Sequence, residues 1–196
     1  MSALPKITYY TAEEYLRLER EAPYKSEYFK GEIFAMAGAS TSHNRIKENL
    51  SIGIGSYLRR NKGCQSFSSD MRVHIPENTL YTYPDVLVVC GRLEFLDNEK
   101  DILLNPSVII EVLSKSTQTY DRGDKFHLYR SIPTLREYLM VDSQSVRVEM
   151  YRKADDGVWS LVYDTKNIED TIELITIGLS ISIEDMYDQA EFRNHF

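Results

Sequence analysis

Tyr83-Pro84-Asp85-Val86-Leu87-Val88-Val89-Cys90 and Val108-Ile109-Ile110-Glu111-Val112-Leu113 are the two stretches on which the fold turns. Each is a short run of β-branched and other apolar residues, the pattern of a central strand covered on both faces. Each also carries one carboxylate, which is costly to bury unless something compensates its charge. Two such carboxylates side by side repel, and a divalent cation is the simplest compensation. Side chains alternate along a strand, so Ile109, Glu111 and Leu113 share one face, and Asp85, Leu87 and Val89 share a face of theirs. If the strands pair in the matching register, both carboxylates reach one hard cation at about 2.0–2.1 Å, with water completing its shell. Such an ion lowers the pKa of water and neutralises charge on a phosphoryl oxygen.

Outward from these strands the pattern alternates between helix and sheet. Residues 11 to 20 read as a helix, with Thr11 and Glu14 in the form of a capping box. Residues 24 to 37 read as a hairpin turning at Lys30-Gly31, with Ile33, Ala35 and Ala37 alternating with Phe34 and Met36. A longer helix runs from Ser42 to Arg60, its stripe formed by Ile46, Leu50, Ile54, Tyr57 and Leu58. Gly53 and Gly55 inside it cost about 1 kcal/mol each against alanine, which close packing on a sheet would explain. Met71, Val73 and Ile75 alternate with Arg72 and His74 as in a half-exposed strand, and Pro76 to Thr79 form a loop. A helix is expected from Asp121 to Arg130, a strand from Glu137 to Val141, and a hairpin from 145–152 and 158–163 around Ala154-Asp155-Asp156-Gly157. A strand near 171–175 and a short helix near 183–190 follow. One α+β domain over residues 1–196, with a mixed central sheet flanked by helices, fits this order.

Composition narrows the function classes. With 42% hydrophobic and 27% charged residues the chain can build a core, which excludes extensive disorder. A net charge of −7 argues against indiscriminate binding of nucleic acid, though not against a local basic groove. Cys64 and Cys90 are too few for a disulfide framework or zinc site and read as reduced, buried thiols. Met-Ser-Ala-Leu-Pro-Lys at residues 1–6 lacks the apolar core of a signal peptide, and no run is long enough to span a bilayer. The default expectation is a cytoplasmic protein with no membrane partner and no organic cofactor.

Pro84-Asp85 followed by a strand holding Glu111 resembles the PD-(D/E)XK nuclease superfamily, with its restriction-endonuclease-like fold. The fuller pattern resembles the Uma-two family of endonucleases: Glu27, Gly31-Glu32, His43, Tyr83-Pro84-Asp85-Val86, Asn105-Pro106, Ile110-Glu111-Val112-Leu113-Ser114, Asp121, Lys125, Tyr129, Ile132-Pro133, Glu137-Tyr138 and Val141-Asp142. The combination covers residues 8 to 190 and is specific, whereas Pro-Asp alone is weak. The resemblance implies a restriction-endonuclease-like core with an N-terminal and a C-terminal hairpin. It also implies a Mg²⁺-dependent DNA endonuclease, with Mn²⁺ as a substitute. Asp85 and Glu111, with the Val112 carbonyl, would hold the metal, and a homodimer would cut two strands.

One position departs from the pattern. The superfamily places lysine two residues after the second acid, and here that position is Leu113. In the resembled family the lysine has moved to the following helix, which makes Lys125 the first choice to stabilise charge at phosphorus, steadied by Tyr129. Lys115 continues the face of Glu111 but reads as a solvated side chain. Glu27 matches an additional acid near the metal, and His43, in the opening turn of the long helix, is placed to contact a phosphate or the metal-bound water. His74 and His127 read as exposed, His195 as part of a frayed tail, and Asp70, Asp121 and Asp124 as turn or cap residues. The stretch Arg59-Arg60-Asn61-Lys62 reads as a solvated helix end, and most of the 14 tyrosines as half-buried sheet residues. Two other functions fit the same residues: a catalytically degraded fold serving as a DNA- or protein-binding module, and a hydrolase of nucleotides or RNA.

Overall fold

The structure is a computed structural model and describes residues 8–36 and 38–192. Ala37 of the expected hairpin, the stretch at residues 1–6 and His195 lie outside the described residues. Helix α1 (Ala12–Glu21) opens with the expected capping box: Thr11 Oγ1 accepts from the Glu14 amide at 3.2 Å, and Glu14 Oε2 accepts from the Thr11 amide at 2.7 Å. Strands β1 (Ser26–Phe29) and β2 (Glu32–Ala35) form the hairpin. Its turn places Lys30 at φ 47° and Gly31 at φ 97°, two consecutive left-handed residues of the kind a tight hairpin needs. Helix α2 (Thr41–Arg60) buries Ile46, Leu50, Ile54 and Leu58, a stripe at helical spacing, while Tyr57 packs at its margin.

Strands β3 (Cys64–Ser68), β4 (Arg72–Ile75), β5 (Leu80–Thr82), β6 (Val86–Cys90), β7 (Ile102–Leu103) and β8 (Val108–Leu113) follow. Next come a short helix α3 (Gln118–Tyr120), a π-helical turn (Asp121–Lys125) and helix α4 (Phe126–Tyr129). Strands β9 (Glu137–Asp142), β10 (Val148–Lys153), β11 (Trp159–Thr165), β12 (Thr171–Leu174) and β13 (Leu179–Ser182) precede helix α5 (Ile183–Tyr187). The central sheet has the order β11-β10-β9-β8-β6-β3 and is mixed, because β8 and β9 are parallel while its other pairs are antiparallel. A second sheet, β2-β1-β5-β4-β7, carries the N-terminal hairpin.

The central sheet separates two cores. On one face α2 packs over Val86, Val88, Val108, Ile110 and Val112. On the other, α4 packs over Leu87, Val89, Ile109 and Leu113. Period-2 alternation therefore assigns the faces of both strands correctly, and Asp85 and Glu111 belong to the α4 side.

Several expectations change. Arg72 and His74 are buried, 4% and 9% exposed, because α1 and a tyrosine cluster cover the second sheet. Arg72 Nε donates to Tyr83 Oη at 2.8 Å, and the His74 ring stacks on Tyr81 with its Nδ1 3.1 Å from the Leu80 carbonyl. Cys64 and Cys90 form a disulfide rather than separate thiols. The β3–β6 register sets them directly opposite each other at the sheet edge, both partly exposed. Beyond its own helix, Gly53 has no atom of the described residues within 4 Å of where a Cβ would stand, and Gly55 meets Ser66 Oγ alone among them, at 3.7 Å, so close packing does not explain either glycine. The expected helix at 121–130 starts earlier and contains the π turn. The strand expected near 171–175, β12, pairs with β13 in a further hairpin that the residue pattern does not reveal.

Candidate active site

The β6–β8 register pairs Val86 with Ile110 and Leu87 with Ile109, so Asp85 stands opposite Glu111 at the same sheet end. The carboxylates are tied to each other's backbones. Val112 N donates to Asp85 Oδ2 at 2.9 Å, and Asp85 N points at Glu111 Oε2 at 3.3 Å. His43 reaches in from the first turn of α2, its Nε2 3.2 Å from Asp85 Oδ2, while its buried Nδ1 has no hydrogen-bond partner among the described residues.

Lys125 enters from the opposite side. Lys125 closes the π-helical turn Asp121–Lys125, and it and Asp121 are the buried residues of that turn. Its Nζ lies 3.0 Å from Glu111 Oε1, 3.1 Å from Glu27 Oε1 and 3.6 Å from Asp121 Oδ1. Tyr129 donates from its hydroxyl to Glu111 Oε1 at 2.8 Å, and Thr82 donates to Glu27. Glu111, Asp121 and Lys125 are 3%, 4% and 5% exposed. Glu27, Asp85, Glu111, Asp121, Lys125, His43 and the Val112 backbone thus line one cleft of about 520 Å³.

Electrostatics follows from this crowding. Burial raises the proton affinity of Glu111, Lys125 opposes the shift, and the charges of Asp121 and Asp85 add to it, leaving the carboxyl well above its usual range. Asp121 is raised by burial too, against Lys125 and a hydrogen bond from Thr117. For Lys125, burial favours the neutral amine, but Glu111, Tyr129, Glu27 and Asp121 outweigh it and the ammonium keeps its proton. Three acids, Glu27, Glu111 and Asp121, therefore lie within 4 Å of one buried lysine, and Asp85 lines the same cleft, a crowding of carboxylates that a bound cation would relieve.

Six expected residues converge here: Asp85, Glu111, Val112, Lys125, Glu27 and His43. Lys115 is exposed, and Leu113, where the superfamily has its lysine, is buried in the α4-side core. Asp121, expected as a turn or cap residue, is instead a buried partner of Lys125. Its spacing of four residues from Lys125 was the available signal.

Comparison with known proteins agrees with this architecture. A family model described as "Uma2: Putative restriction endonuclease" matches residues 12–184. The uncharacterised Synechocystis protein sll1609 is 45% identical over 157 residues, covering 77% of this chain and 85% of that protein. The uncharacterised protein slr1290 of the same organism is 39% identical over 180 residues, covering 92% of both. A crystal structure of a "putative nuclease belonging to DUF820" from Anabaena variabilis superposes with a TM-score of 0.73 at 20% identity, covering 91% of this chain and 97% of that one. Among the described residues no helix is long and apolar enough to cross a membrane. With the mixed sheet, the paired acids and the family match over residues 12–184 together, the chain belongs to the Uma2 family and has the restriction-endonuclease-like fold.

Proposed function

We propose that this chain is a metal-dependent DNA endonuclease that hydrolyses phosphodiester bonds with water at the floor of the cleft. The observation that carries this reading is the opposition of Asp85 and Glu111 across β6 and β8, with the Lys125 ammonium 3.0 Å from Glu111. The donor set suits a hard cation: two carboxylates and the Val112 carbonyl, with no thiolate nearby. Among the described residues no group of three or more His, Cys, Asp or Glu is arranged to hold a metal ion, so the ion would rest on two carboxylates and a carbonyl. That is compatible with Mg²⁺, which commonly takes one or two carboxylates and keeps its waters. Asp85, Glu111 and the Val112 carbonyl would hold it, and Mn²⁺ would substitute. When bound, such an ion supplies charge neutralisation at a phosphoryl oxygen and acidifies water.

The remaining work falls to the chain's own groups. Water adds to phosphorus, a bridging P–O bond breaks, and the leaving oxygen takes a proton. Lys125 is placed to offset the charge that builds on the non-bridging oxygens. Glu27, Glu111 and Asp121 hold its ammonium in position, and Tyr129 fixes the Glu111 oxygen that faces it. His43 and the Val112 amide fix Asp85. Incubating plasmid and branched DNA with Mg²⁺ or Mn²⁺ tests the proposal. Wild type should cut, and Asp85→Ala and Glu111→Ala should lose at least about a hundredfold in rate. Equal cutting by the variants, or none by wild type, would sink it. The absence, among the described residues, of three or more His, Cys, Asp or Glu arranged to hold a metal ion and the leucine at position 113 favour one second reading, a binding module with a degraded site. Calorimetry showing no Mn²⁺ binding that depends on Asp85 would select that reading.

A further inference from the structure

The floor of the cleft is charged, but its wall is partly apolar. Phe34 pairs directly with Glu27 across the β1–β2 hairpin, and cross-strand partners share a face of the sheet. The Phe34 ring therefore stands beside the carboxylate that holds Lys125, yet it is 48% exposed. Met36, two residues on, is 38% exposed, and Tyr120 of α3 lines the same cleft. Fixed positive charge is scarce. Apart from Lys125, the lysines among the described lining residues are Lys25 and Lys47, and both lean on the turn after β3. Lys25 Nζ donates to the Ser69 carbonyl and to Asp70 Oδ1, each at 2.7 Å, and Lys47 Nζ lies 3.3 Å from Ser69 Oγ.

These features discriminate between two forms of polynucleotide. A duplex is a stiff cylinder, and proteins that grip it through the backbone commonly neutralise about six to ten phosphates. A chain of net charge −7 with two lysines beside its cleft is poorly built for that. An unpaired strand is flexible and offers bare base faces, which stack on aromatic rings and need fewer cations. A cleft of about 520 Å³ is also in the range that engulfs a small ligand rather than a double helix.

Granted the nuclease reading above, we propose that the cleft takes an unpaired polynucleotide strand, with a base stacked on Phe34 and the adjoining backbone directed along Lys25 and Lys47. Cleavage then falls in single-stranded or splayed regions, and blunt duplex is a poor substrate.

Fluorescence anisotropy in chelator, where nothing is cut, tests this with labelled oligothymidylate, oligouridylate and a blunt duplex of equal length. Either unpaired strand should bind at least about tenfold more tightly than duplex, and the tighter of the two identifies the sugar preferred. Phe34→Ala should weaken binding about fivefold or more, as loss of one base stack does, while Phe34→Trp retains it. The slope of log K against log salt on unpaired DNA should become less steep by about 0.7 in Lys47→Gln, the share of one phosphate contact on a single strand. Lys166→Gln, a change outside the residues that line the cleft, should change nothing. Circular dichroism establishes that each variant folds, which the exposure of Phe34 favours. Duplex bound as tightly as single strand, or Phe34→Ala binding like wild type, overturns the inference and leaves the nuclease reading intact. Absence of binding to any polynucleotide, with no cleavage in the plasmid assay, overturns both.

Discussion

Replacing Lys125 with methionine removes the ammonium while nearly preserving side-chain volume, so its effect is electrostatic. The structure sets the scale. Lys125 Nζ lies 3.0, 3.1 and 3.6 Å from carboxylates of Glu111, Glu27 and Asp121, in a cluster almost closed to solvent. At an effective dielectric of about 20, one pair at 3 Å is worth roughly 5 kcal/mol of attraction, most of it offset by the cost of desolvating both ions. Breaking a buried pair by deleting one partner costs about 3–5 kcal/mol, because the other charge stays buried. For a chain of this size that is a fall in Tm of roughly 6–20 °C. The loss must also depend on pH. Without the ammonium, Glu111 and Asp121 are raised further above their unfolded values, so the folded state of the variant holds protons that the unfolded state has released. Its stability therefore rises as pH falls toward about 4.3, where unfolded glutamate titrates. Urea denaturation of wild type and Lys125→Met at pH 9 and pH 5.5 should show the larger gap at pH 9, with Lys115→Met indistinguishable from wild type at both. A gap below about 1 kcal/mol, or one equal at the two pH values, would refute the picture of Lys125 as the counter-ion of a buried acid cluster.

Tyr129→Phe removes the 2.8 Å hydrogen bond to Glu111 Oε1 and should cost about 1.5–3 kcal/mol by denaturant titration, with no effect expected if that hydroxyl were idle. Reducing the Cys64–Cys90 disulfide, which closes a loop of 26 residues, should destabilise by about 3.5 kcal/mol on the chain-entropy estimate; Cys64→Ser/Cys90→Ser should reproduce the reduced protein in the same assay. Burial lowers the pKa of His74, so the unfolded chain takes up a proton near pH 6.5 that the folded chain resists, and stability falls as pH drops below that value. Thermal melts of wild type and His74→Gln from pH 7.5 to 5 should converge on the acid side, and parallel curves would contradict the assignment.

The parts legible in the sequence were those with a strict period or local chemistry. Alternation alone placed Asp85 and Glu111 on the face shared with Leu87 and Leu113, and the Thr11–Glu14 box marked the start of α1. The stripe of α2 was equally plain. Alternation misled at Arg72 and His74, because it cannot distinguish a solvent face from one covered by a separate layer of tyrosines. β7, two residues long, leaves no periodic trace, and the pairing of Cys64 with Cys90 depends on a register set by the whole sheet. At the site, resemblance points to Lys125, but its burial at the end of a π turn is not legible in residues that read as an ordinary helix. Asp121 was missed for a related reason: an acid in the first turn of a helix looks like a cap until burial shows otherwise.

The central claim is that Asp85 and Glu111 hold one divalent cation between them. Anomalous diffraction from Mn²⁺-soaked crystals tests it directly. The account predicts a single strong peak within about 2.5 Å of oxygens of both carboxylates. It also predicts the peak's disappearance in Asp85→Ala crystals. A peak elsewhere in the cleft, or no peak in the wild-type protein at saturating Mn²⁺, would contradict it.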